Sequence, residues 1–217
     1  MRRKIALLGG TFNPIHHGHL RLALDLVESV GFEQLRLVPC HLPQHRQQPT
    51  VSSDRRAQMV AQAIAGCDVL QLDRCELERG SATYSIDTLT QLRRELGDDA
   101  SLTMVMGIDA YLGLPRWHRW RELLTQAHLL VVARPGYSFK PDAELAEYDR
   151  VHRAEVGVLA EKPAGSVVHL SARLLDISAT EVRELTAQGR STQYLIPDAV
   201  RHYISEHGLY SADAHSS

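Results

Sequence analysis

Two histidines three positions apart, His16 and His19, follow a pair of glycines that ends a short apolar run. The run, residues 5–8, reads Ile-Ala-Leu-Leu, and Gly9 and Gly10 come directly after it. A buried parallel strand that passes through a glycine turn into a helix is typical of phosphate sites, because the first N–H groups and the dipole of the helix favour an anion. We therefore predict a nucleotide site at which both imidazoles stand at the opening of the helix and add to the phosphate-binding groups.

A second helix start that could bind an anion lies near the carboxyl end of the chain. Ser178 and Glu181 form a capping box, in which a serine is followed three residues later by a glutamate. The first N–H groups of such a helix point at whatever lies before it, and Arg183 falls within the next turn or so. Alone, this pattern is that of an ordinary capped helix. Together with the glycine turn, it indicates the other half of a site for several phosphates.

The glycine turn matches neither of the two commonest nucleotide-binding fingerprints. Gly9-Gly10-Thr11 lacks the Gly-x-Gly-x-x-Gly spacing of dinucleotide-binding folds, and no Gly-Lys-[Ser/Thr] of a P-loop follows it. Dehydrogenase and P-loop NTPase functions are therefore disfavoured.

Special residues also follow two later apolar runs. Gly107 and Asp109 come after residues 102–106, and Arg134 comes after residues 128–133. Ligands of open α/β sheets bind at the carboxyl ends of the strands, so these residues are expected beside the glycine turn. We predict an open, mostly parallel, Rossmann-like α/β sheet with helices on both faces and a small helical C-terminal part.

Apolar periodicity and turn residues predict where the other elements lie. Further strands are expected at 34–38, 68–75 and 167–170. Helices are expected at 20–30, at 54–65 with Ser53 as cap, from a cap at Thr83 or Ser85 to about Leu96, over much of 141–158, after Ser178, and at 197–206. The polar, proline-containing stretch 39–51 is long enough to predict a binding loop or lid.

Length and composition limit the class of protein. The chain has 217 residues, of which 44% are hydrophobic, which suits one globular domain over 1–210 with a frayed tail at 211–217. No apolar run approaches the roughly 18 residues of a membrane span. The apolar stretch after the basic residues 1–4 is too short for a signal peptide, so we predict a cytoplasmic protein.

Charge and cysteine content exclude further classes. A net charge of -2 provides no general attraction to nucleic acid, so local groups have to hold an anionic ligand. Cys40, Cys67 and Cys75 are odd in number and form no Cys-x-x-Cys pair. This predicts reduced thiols rather than a disulfide framework or a zinc ribbon, and we expect no metal site made of side chains.

Residues 9–19 read Gly-Gly-Thr-Phe-Asn-Pro-x-His-x-Gly-His, and this ordered pattern resembles the nucleotidyltransferase family with the His-x-Gly-His signature. The second signature of such proteins, Ile-Ser-x-Thr-x-x-Arg, occurs at 177–183. Within that superfamily the chain is similar to the bacterial nicotinate mononucleotide adenylyltransferases over nearly its full length. Stretches that support this likeness lie at 43–46, 82–85, 106–109, 114–117, 133–136, 196–197 and 208–210. The chain departs from many relatives at Asn13, where aspartate is common, and at Cys40-His41, where asparagines are common.

The resemblance implies adenylyl transfer, in which the phosphate of a mononucleotide attacks the α-phosphorus of ATP and pyrophosphate leaves. His16 and His19 would hold oxygens of the α- and β-phosphates. Ser178, Thr180 and Arg183 would hold the β- and γ-phosphates, and Mg²⁺ would be bound mainly through the phosphates of ATP. The implied ATP-binding residues are Gly9, Gly10, Thr11, Phe12, Gly107, Asp109, Ile177, Ser178 and Thr180, with His16, His19 and Arg183 as the catalytic residues.

The acceptor that the resemblance implies, nicotinate mononucleotide, carries a flat pyridinium ring with a carboxylate. Trp117 would offer the ring a stacking face. The backbone N–H groups of Ile86 and His118 would hold the carboxylate. Nicotinate mononucleotide should be preferred over nicotinamide mononucleotide, because the amide would turn its NH₂ donor toward one of these N–H groups. The implied substrate-binding residues are His45, Arg46, Tyr84, Ser85, Ile86, Trp117, His118 and Arg134, of which His45, Arg46 and Arg134 are expected at the phosphate.

Two other functions stay open at this point. Sibling enzymes that adenylate phosphopantetheine typically carry Thr-x-x-Gly-His in place of His-x-Gly-His and lack the Leu-Pro-x-Trp segment found here at 114–117. A nucleotide-binding regulatory protein without turnover is the second alternative, and intact His16, His19 and Arg183 argue against it. The expected partners are ATP and nicotinate mononucleotide, with no nucleic acid or membrane, for a monomer or small homo-oligomer.

Overall fold

A parallel sheet with strand order β3-β2-β1-β4-β5-β6 forms the centre of the computed structural model, which describes residues 2–41, 49–80, 83–134, 136 and 139–211. From β1 the chain builds outward through β2 and β3, and then crosses to β4 on the other side of β1. The order therefore reverses between β1 and β4, where open α/β sheets bind ligands. The strands are β1 (Lys4–Gly10), β2 (Gln34–Pro39), β3 (Leu70–Leu72), β4 (Ser101–Gly107), β5 (His128–Ala133) and β6 (Val167–Ser171).

Helices cover both faces of the sheet. Successive side chains of a strand point to opposite faces, so Ala6 and Leu8 of β1 enter one buried apolar cluster and Ile5 and Leu7 enter another. The predicted parallel α/β fold is confirmed. The helices are α1 (His17–Leu26, continued by a π-helical turn at Val27–Gly31), α2 (Ser53–Ala63), α3 (Cys75–Arg79), α4 (Ser85–Leu96), α5 (Ile108–Leu112), α6 (Leu123–Gln126), α7 (Ala143–His152), α8 (Val158–Glu161), α9 (Ala179–Ala187) and α10 (Asp198–Glu206), with 3-10 turns at Leu114–Arg116 and Trp120–Glu122.

The two clusters show which helices lie on which face. Residues of α1, α2, α8, α9 and α10 pack with Ala6 and Leu8. Residues of α3 to α7 pack with Ile5 and Leu7. Among the described residues, none of the helices combines the length and apolarity needed to cross a bilayer.

Two of the predicted helix caps are wrong. The N-cap of α2 is Ser52, whose Oγ accepts from the N–H of Arg55 at 3.4 Å, and the Ser53 hydroxyl lies 3.0 Å from Nδ1 of His41 instead. Helix α4 has Tyr84 at its N-cap, and the Tyr84 side chain makes no capping hydrogen bond. The capping box at α9 is confirmed in its first half, since Ser178 Oγ accepts from the N–H of Glu181 at 3.1 Å.

Two predicted elements are divided in the structure. The stretch 68–75 keeps only the three residues of β3, because the carboxylate of Asp73 accepts from the N–H of Cys75 at 3.0 Å and helix α3 starts there. The helix expected over 141–158 divides into α7 and α8, because Arg153 pairs with Val167 at the start of β6. Most of the 39–51 loop and the predicted tail fall on 42–48 and 212–217, which lie outside the described residues.

Candidate active site

His16 and His19 stack on each other at the start of α1. The ring centroids are 3.7 Å apart and the ring planes differ by 27°. His16 is the N-cap of α1, with extended backbone, and His19 lies in the first turn. In the described part of the chain, the Nδ1 atom of each ring is buried without a hydrogen-bond partner. Each ring therefore has one buried polar atom whose hydrogen-bonding capacity is not used by the described residues.

Burial makes both rings poor bases. It lowers the pKa of His16 to about 4, and the neighbouring His17 acts in the same direction. It lowers the pKa of His19 to about 3, with His16 as the second cause. At neutral pH each imidazole is therefore neutral and donates one N–H. A bound anion would favour the protonated form and raise both values.

The glycine between the two histidines is required by space. A Cβ on Gly18 would lie 2.9 Å from Nδ1 and 3.0 Å from Cε1 of the His16 ring, and 3.6 Å from the backbone oxygen of Ile177. A side chain at position 18 would therefore displace the imidazole. The same contact shows that the two signatures of the sequence meet, since Ile177 opens the second one.

The turn after β1 is held by packing around Phe12. Phe12 is 2% exposed, has a φ of 46°, and presents its ring at 81° to that of His19, with centroids 5.1 Å apart. A Cβ on Gly10 would lie 2.9 Å from the Phe12 ring, whereas a Cβ on Gly9 would have no neighbour within 4 Å among the residues that the structure describes. The Phe12 side chain thus supports His19 from inside the protein, and only its backbone is left for a ligand.

Arg183 joins the two signatures directly. Its Nη1 donates to the backbone oxygen of Asn13 at 2.8 Å, and its Nη2 donates to the Thr180 hydroxyl at 3.2 Å. Ser178 and Thr180 are exposed and Arg183 is half-buried. Tyr210 fixes the same loop from the other side, because its hydroxyl donates to Oδ1 of Asn13 at 2.7 Å. The predicted residues of both helix starts therefore lie together.

The ends of β4 and β5 lie along the same edge of the sheet. Gly107 ends β4 and is the N-cap of α5, and Asp109 is exposed in the first turn of that helix. Arg134 directly follows β5 and forms an ion pair with Asp176, the residue before Ile177, at 2.9 Å. Both partners of this pair are well exposed, so the pair is weak and open to exchange.

Some of the residues predicted for the acceptor meet at the start of α4. The rings of Tyr84 and His118 are in contact, with centroids 4.4 Å apart, which brings the segment after Trp117 against the first turn of α4. Ile86 is buried in that turn, and Trp117 is partly buried. Trp120, three residues after Trp117, is 5% exposed and belongs to the core. His45 and Arg46 lie outside the described residues.

A cavity of about 40 Å³ lies between the sheet and helices α3 and α4. Burial raises the pKa of its one carboxyl group, Glu76, to about 7, and hydrogen bonds from the Thr88 hydroxyl, at 2.9 Å, and from the backbone of His41 oppose this rise. The cavity reaches from the glycine turn to the start of α4. Its lining residues are Leu7, Gly9, Val38, Glu76, Ser85, Thr88, Leu89 and Met104.

Sequence patterns did not single out Arg56, Glu76 or Tyr210. Arg56 is 1% exposed and donates to four backbone oxygens around the glycine turn. Its position four residues before Val60, at the edge of the apolar face of α2, is the signal that could have revealed it. Tyr210 is joined to Asn13 across almost the whole chain, which no local pattern indicates.

Comparisons with known proteins agree with this geometry. A family model described as cytidylyltransferase-like matches residues 7–185. "Probable nicotinate-nucleotide adenylyltransferase" from Cellvibrio japonicus is 48% identical and the match covers 97% of this chain and 100% of that protein. The protein of the same name from Marinobacter nauticus is 48% identical, covering 95% of this chain and 96% of its own.

A solved structure shares the fold. "Plasmodium falciparum nicotinic acid mononucleotide adenylyltransferase complexed with NaAD" superposes with a TM-score of 0.72 at 17% identity, covering 96% of this chain and 97% of that one. The relatives match over nearly their full length, and both signatures fall within the matched residues. The chain therefore belongs to the cytidylyltransferase-like family and, within it, to the nicotinate-nucleotide adenylyltransferases.

Proposed function

We propose that the protein is an enzyme that transfers the adenylyl group of ATP to nicotinate mononucleotide, giving nicotinate adenine dinucleotide and pyrophosphate in NAD biosynthesis. The observation that carries this function is the hydrogen bond of Arg183 to the Asn13 backbone at 2.8 Å, which joins the two phosphate-binding signatures beside the stacked His16 and His19. The names of the relatives support the reaction. In this proposal, one domain over 1–210 carries out the reaction in the cytoplasm, where ATP is supplied.

The reaction needs alignment and charge stabilisation rather than a protein nucleophile. An oxygen of the mononucleotide phosphate forms a bond to the α-phosphorus of ATP, and the bond from that phosphorus to the α,β-bridging oxygen breaks. The electron pair leaves with pyrophosphate, so negative charge grows on the bridging oxygen. Donors that are already fixed at that oxygen stabilise the transition state most, because they need no reorganisation.

His16 and His19 are suited to that role. As neutral rings they donate N–H groups to phosphate oxygens, and negative charge that grows beside them strengthens these hydrogen bonds. Two cationic rings with centroids 3.7 Å apart would repel, so the pair should carry at most one extra proton. Phe12 and Gly18 keep both rings in place.

The second helix start provides for the rest of the triphosphate. Arg183 uses two donors on Asn13 and Thr180, and its guanidinium has further N–H groups for the β- and γ-phosphates. The exposed hydroxyls of Ser178 and Thr180 and the first N–H groups of α9 add neutral donors. Thr11 and Phe12 contribute backbone groups, and Asp109 accepts from hydroxyls of the ribose.

A divalent cation that accompanies ATP is part of the proposal, and we take it to be Mg²⁺. Among the described residues, no group of three or more histidine, cysteine or acidic side chains is arranged to hold a metal. In the proposal the ion is bound through phosphate oxygens of ATP and through water, as Mg²⁺ prefers. Such an ion would neutralise charge on the leaving pyrophosphate. The protein side chains then act on the oxygens that the ion leaves free.

The acceptor is proposed to bind between α4 and the segment after α5. The pyridinium ring stacks on Trp117, and the carboxylate accepts from the backbone N–H groups of Ile86 and His118. The contact between Tyr84 and His118 supports this placement because it brings both segments together, and the side chain of the N-cap residue Tyr84 does not compete for the first N–H groups of α4. The phosphate of the mononucleotide would replace Asp176 as partner of Arg134, with His45 and Arg46 as further candidates.

The test compares acceptors. The purified protein is incubated with ATP, Mg²⁺ and one of nicotinate mononucleotide, nicotinamide mononucleotide or phosphopantetheine, and pyrophosphate is measured. We expect turnover to be fastest with the acid, because both N–H groups donate to its carboxylate. Equal or faster turnover of phosphopantetheine would overturn the substrate assignment. ATP binding without pyrophosphate release from any acceptor would support a regulatory nucleotide-binding protein instead.

A further inference from the structure

Arg56 is a buried cation that is held by backbone oxygens. Its guanidinium donates from Nη1 to Thr11 O at 2.6 Å, from Nη2 to Cys40 O at 2.6 Å and His41 O at 3.2 Å, and from Nε to Val51 O at 3.3 Å. The hydrogen-bond acceptors of Arg56 among the described residues are all backbone oxygens, and the carboxylate of Glu76 acts on it only through its charge. Burial lowers the pKa of Arg56, yet an arginine stays protonated at neutral pH.

The four oxygens belong to three segments that are separate in sequence. Thr11 lies in the turn after β1, Cys40 and His41 follow β2, and Val51 stands just before α2. The Cys40 N–H also donates to Gly10 O at 2.9 Å, so the first two segments are in direct contact. One side chain thus fixes the glycine turn to the end of β2.

Holding these oxygens also sets the N–H groups of the same peptides. In a trans peptide the C=O and N–H point in opposite directions, so the bond to Thr11 O turns the N–H of Phe12 away from Arg56. The bond to Cys40 O likewise turns the N–H of His41 away, and the carboxylate of Glu76 accepts a backbone hydrogen bond from His41. Arg56 and Glu76 therefore hold the Cys40–His41 peptide from its two sides.

We infer that Arg56 is a positioning residue of the active site, which orients the Thr11–Phe12 and Cys40–His41 peptides without contacting a substrate. This inference rests on the proposed function, in which the first peptide contributes backbone groups to ATP. The second peptide contacts Glu76, which lines the cavity that reaches the start of α4, where the acceptor is proposed to bind. Only a planar guanidinium can reach these oxygens together, because an ammonium group is a compact point charge. Replacing the guanidinium of Arg56 should therefore lower kcat/KM for both substrates.

Arg93 provides a matched control. It too is held by backbone oxygens, those of Gly97, Ala100, Gln126 and Pro163, at 2.7 to 3.0 Å. Ala100 and Gln126 lie before β4 and β5, at the edge of the sheet opposite to the glycine turn. Arg93→Lys should therefore lose stability in the same way as Arg56→Lys and leave the active site unchanged.

The experiment compares wild type, Arg56→Lys, Arg56→Gln and Arg93→Lys well below their melting temperatures. We expect Arg56→Lys and Arg56→Gln to lower kcat/KM for both ATP and nicotinate mononucleotide by about tenfold or more, with lower kcat and higher KM values. Arg93→Lys should stay within about twofold of wild type. Amide hydrogen exchange should speed up at residues 10–12 and 40–41 in the Arg56 variants and not in Arg93→Lys.

Wild-type kcat/KM for either substrate in Arg56→Lys would overturn the inference. So would an equal loss of activity in Arg93→Lys, unchanged exchange at 10–12 and 40–41, or failure of both Arg56 variants to fold, which would assign Arg56 a general structural role. If the wild-type protein transfers no adenylyl group, the proposed function fails by itself, and the exchange measurement still tests the role of Arg56.

Discussion

Arg183 and Asn13 lie 170 positions apart in the chain and are joined by a hydrogen bond of 2.8 Å from Nη1 of the arginine to the backbone oxygen of the asparagine. The bond links helix α9 to the loop that carries the first signature. Neither signature is a complete phosphate site alone, since one provides stacked imidazoles and the other a guanidinium and hydroxyls. Their contact makes them one site.

Removing the hydrogen bond between Arg183 and Asn13 should slow catalysis and loosen the attachment of α9 to the loop of the first signature. We expect Arg183→Ala to lower kcat/KM by about 10² to 10³, the usual effect of losing one charged donor at a developing oxyanion. Arg183→Lys should recover little, because a lysine cannot bridge Asn13 and a phosphate at once. Steady-state kinetics measure both. Arg190→Ala, at an exposed site just after α9, is the control and should stay near wild type; comparable loss there would contradict this role of Arg183.

Gly18→Ala tests the spacing between the histidines. The new Cβ would meet the His16 ring at 2.9 Å, so the imidazole or the backbone of position 18 has to shift. We expect a destabilisation of about 1 to 3 kcal/mol in urea unfolding, together with a clear loss of kcat. Gly157→Ala is the matched control, because no neighbouring atom of the described residues lies within 4 Å of a Cβ there. A Gly18→Ala enzyme with normal kcat would mean that the position of His16 is unimportant for turnover.

The buried histidines predict how stability depends on pH. The pKa values of His16 and His19 are about 4 and 3 in the folded protein and about 6.5 in the unfolded chain. Below pH 6.5 the unfolded state therefore binds more protons than the folded state, so the free energy of unfolding falls as the pH is lowered. We expect a loss of about 1 to 2 kcal/mol per ring between pH 7 and pH 5, measured by urea unfolding.

A double variant, His16→Gln with His19→Gln, isolates this effect. Its stability should fall less steeply with decreasing pH than that of wild type. Some dependence should remain, because burial also lowers the pKa of His128, which the double variant keeps. His202→Gln, at an exposed position of α10, should keep the full wild-type dependence. Equal slopes in wild type and the double variant would show that the two rings do not titrate as described.

The two substrates should respond to different residues. Trp117→Ala should mainly raise the KM for nicotinate mononucleotide, because the ring loses its stacking face, whereas Trp117→Phe should restore part of the affinity. His19→Ala should lower kcat far more than it changes that KM, because its hydrogen bond strengthens only as charge develops. Full kinetics with each substrate varied separate these effects. The reverse pattern would mean that the two subsites have been exchanged.

Local patterns predicted the backbone structure around the first signature, because its strand, glycine turn and helix start are neighbours in the chain. The carboxyl-end rule for parallel sheets correctly placed Gly107 and Asp109 on the same edge. Contacts that depend on distant residues were not predictable in this way. Ser52 caps α2 while the hydroxyl of Ser53 lies beside His41, and the helix expected over 141–158 is interrupted where Arg153 pairs with Val167 of β6.

The burial of charged and titratable groups could not be predicted from the sequence either. Nothing in the pattern of His16 and His19 indicates that the rings stack or that burial lowers the pKa of each far below its ordinary value. Arg56 and Tyr210 meet the glycine turn only after the sheet has formed. The sequence could therefore indicate candidate site residues, whereas their protonation states and the residues that support them could not be predicted from it.

The fate of labelled phosphate tests the central claim most directly. The purified protein is given nicotinate mononucleotide and Mg²⁺ with ATP labelled at either the α- or the γ-phosphate, and the products are separated. Adenylyl transfer predicts that the α-label appears in nicotinate adenine dinucleotide and the γ-label in pyrophosphate, in equal amounts. Release of the γ-label as inorganic phosphate, or its transfer to the mononucleotide, would contradict the assignment.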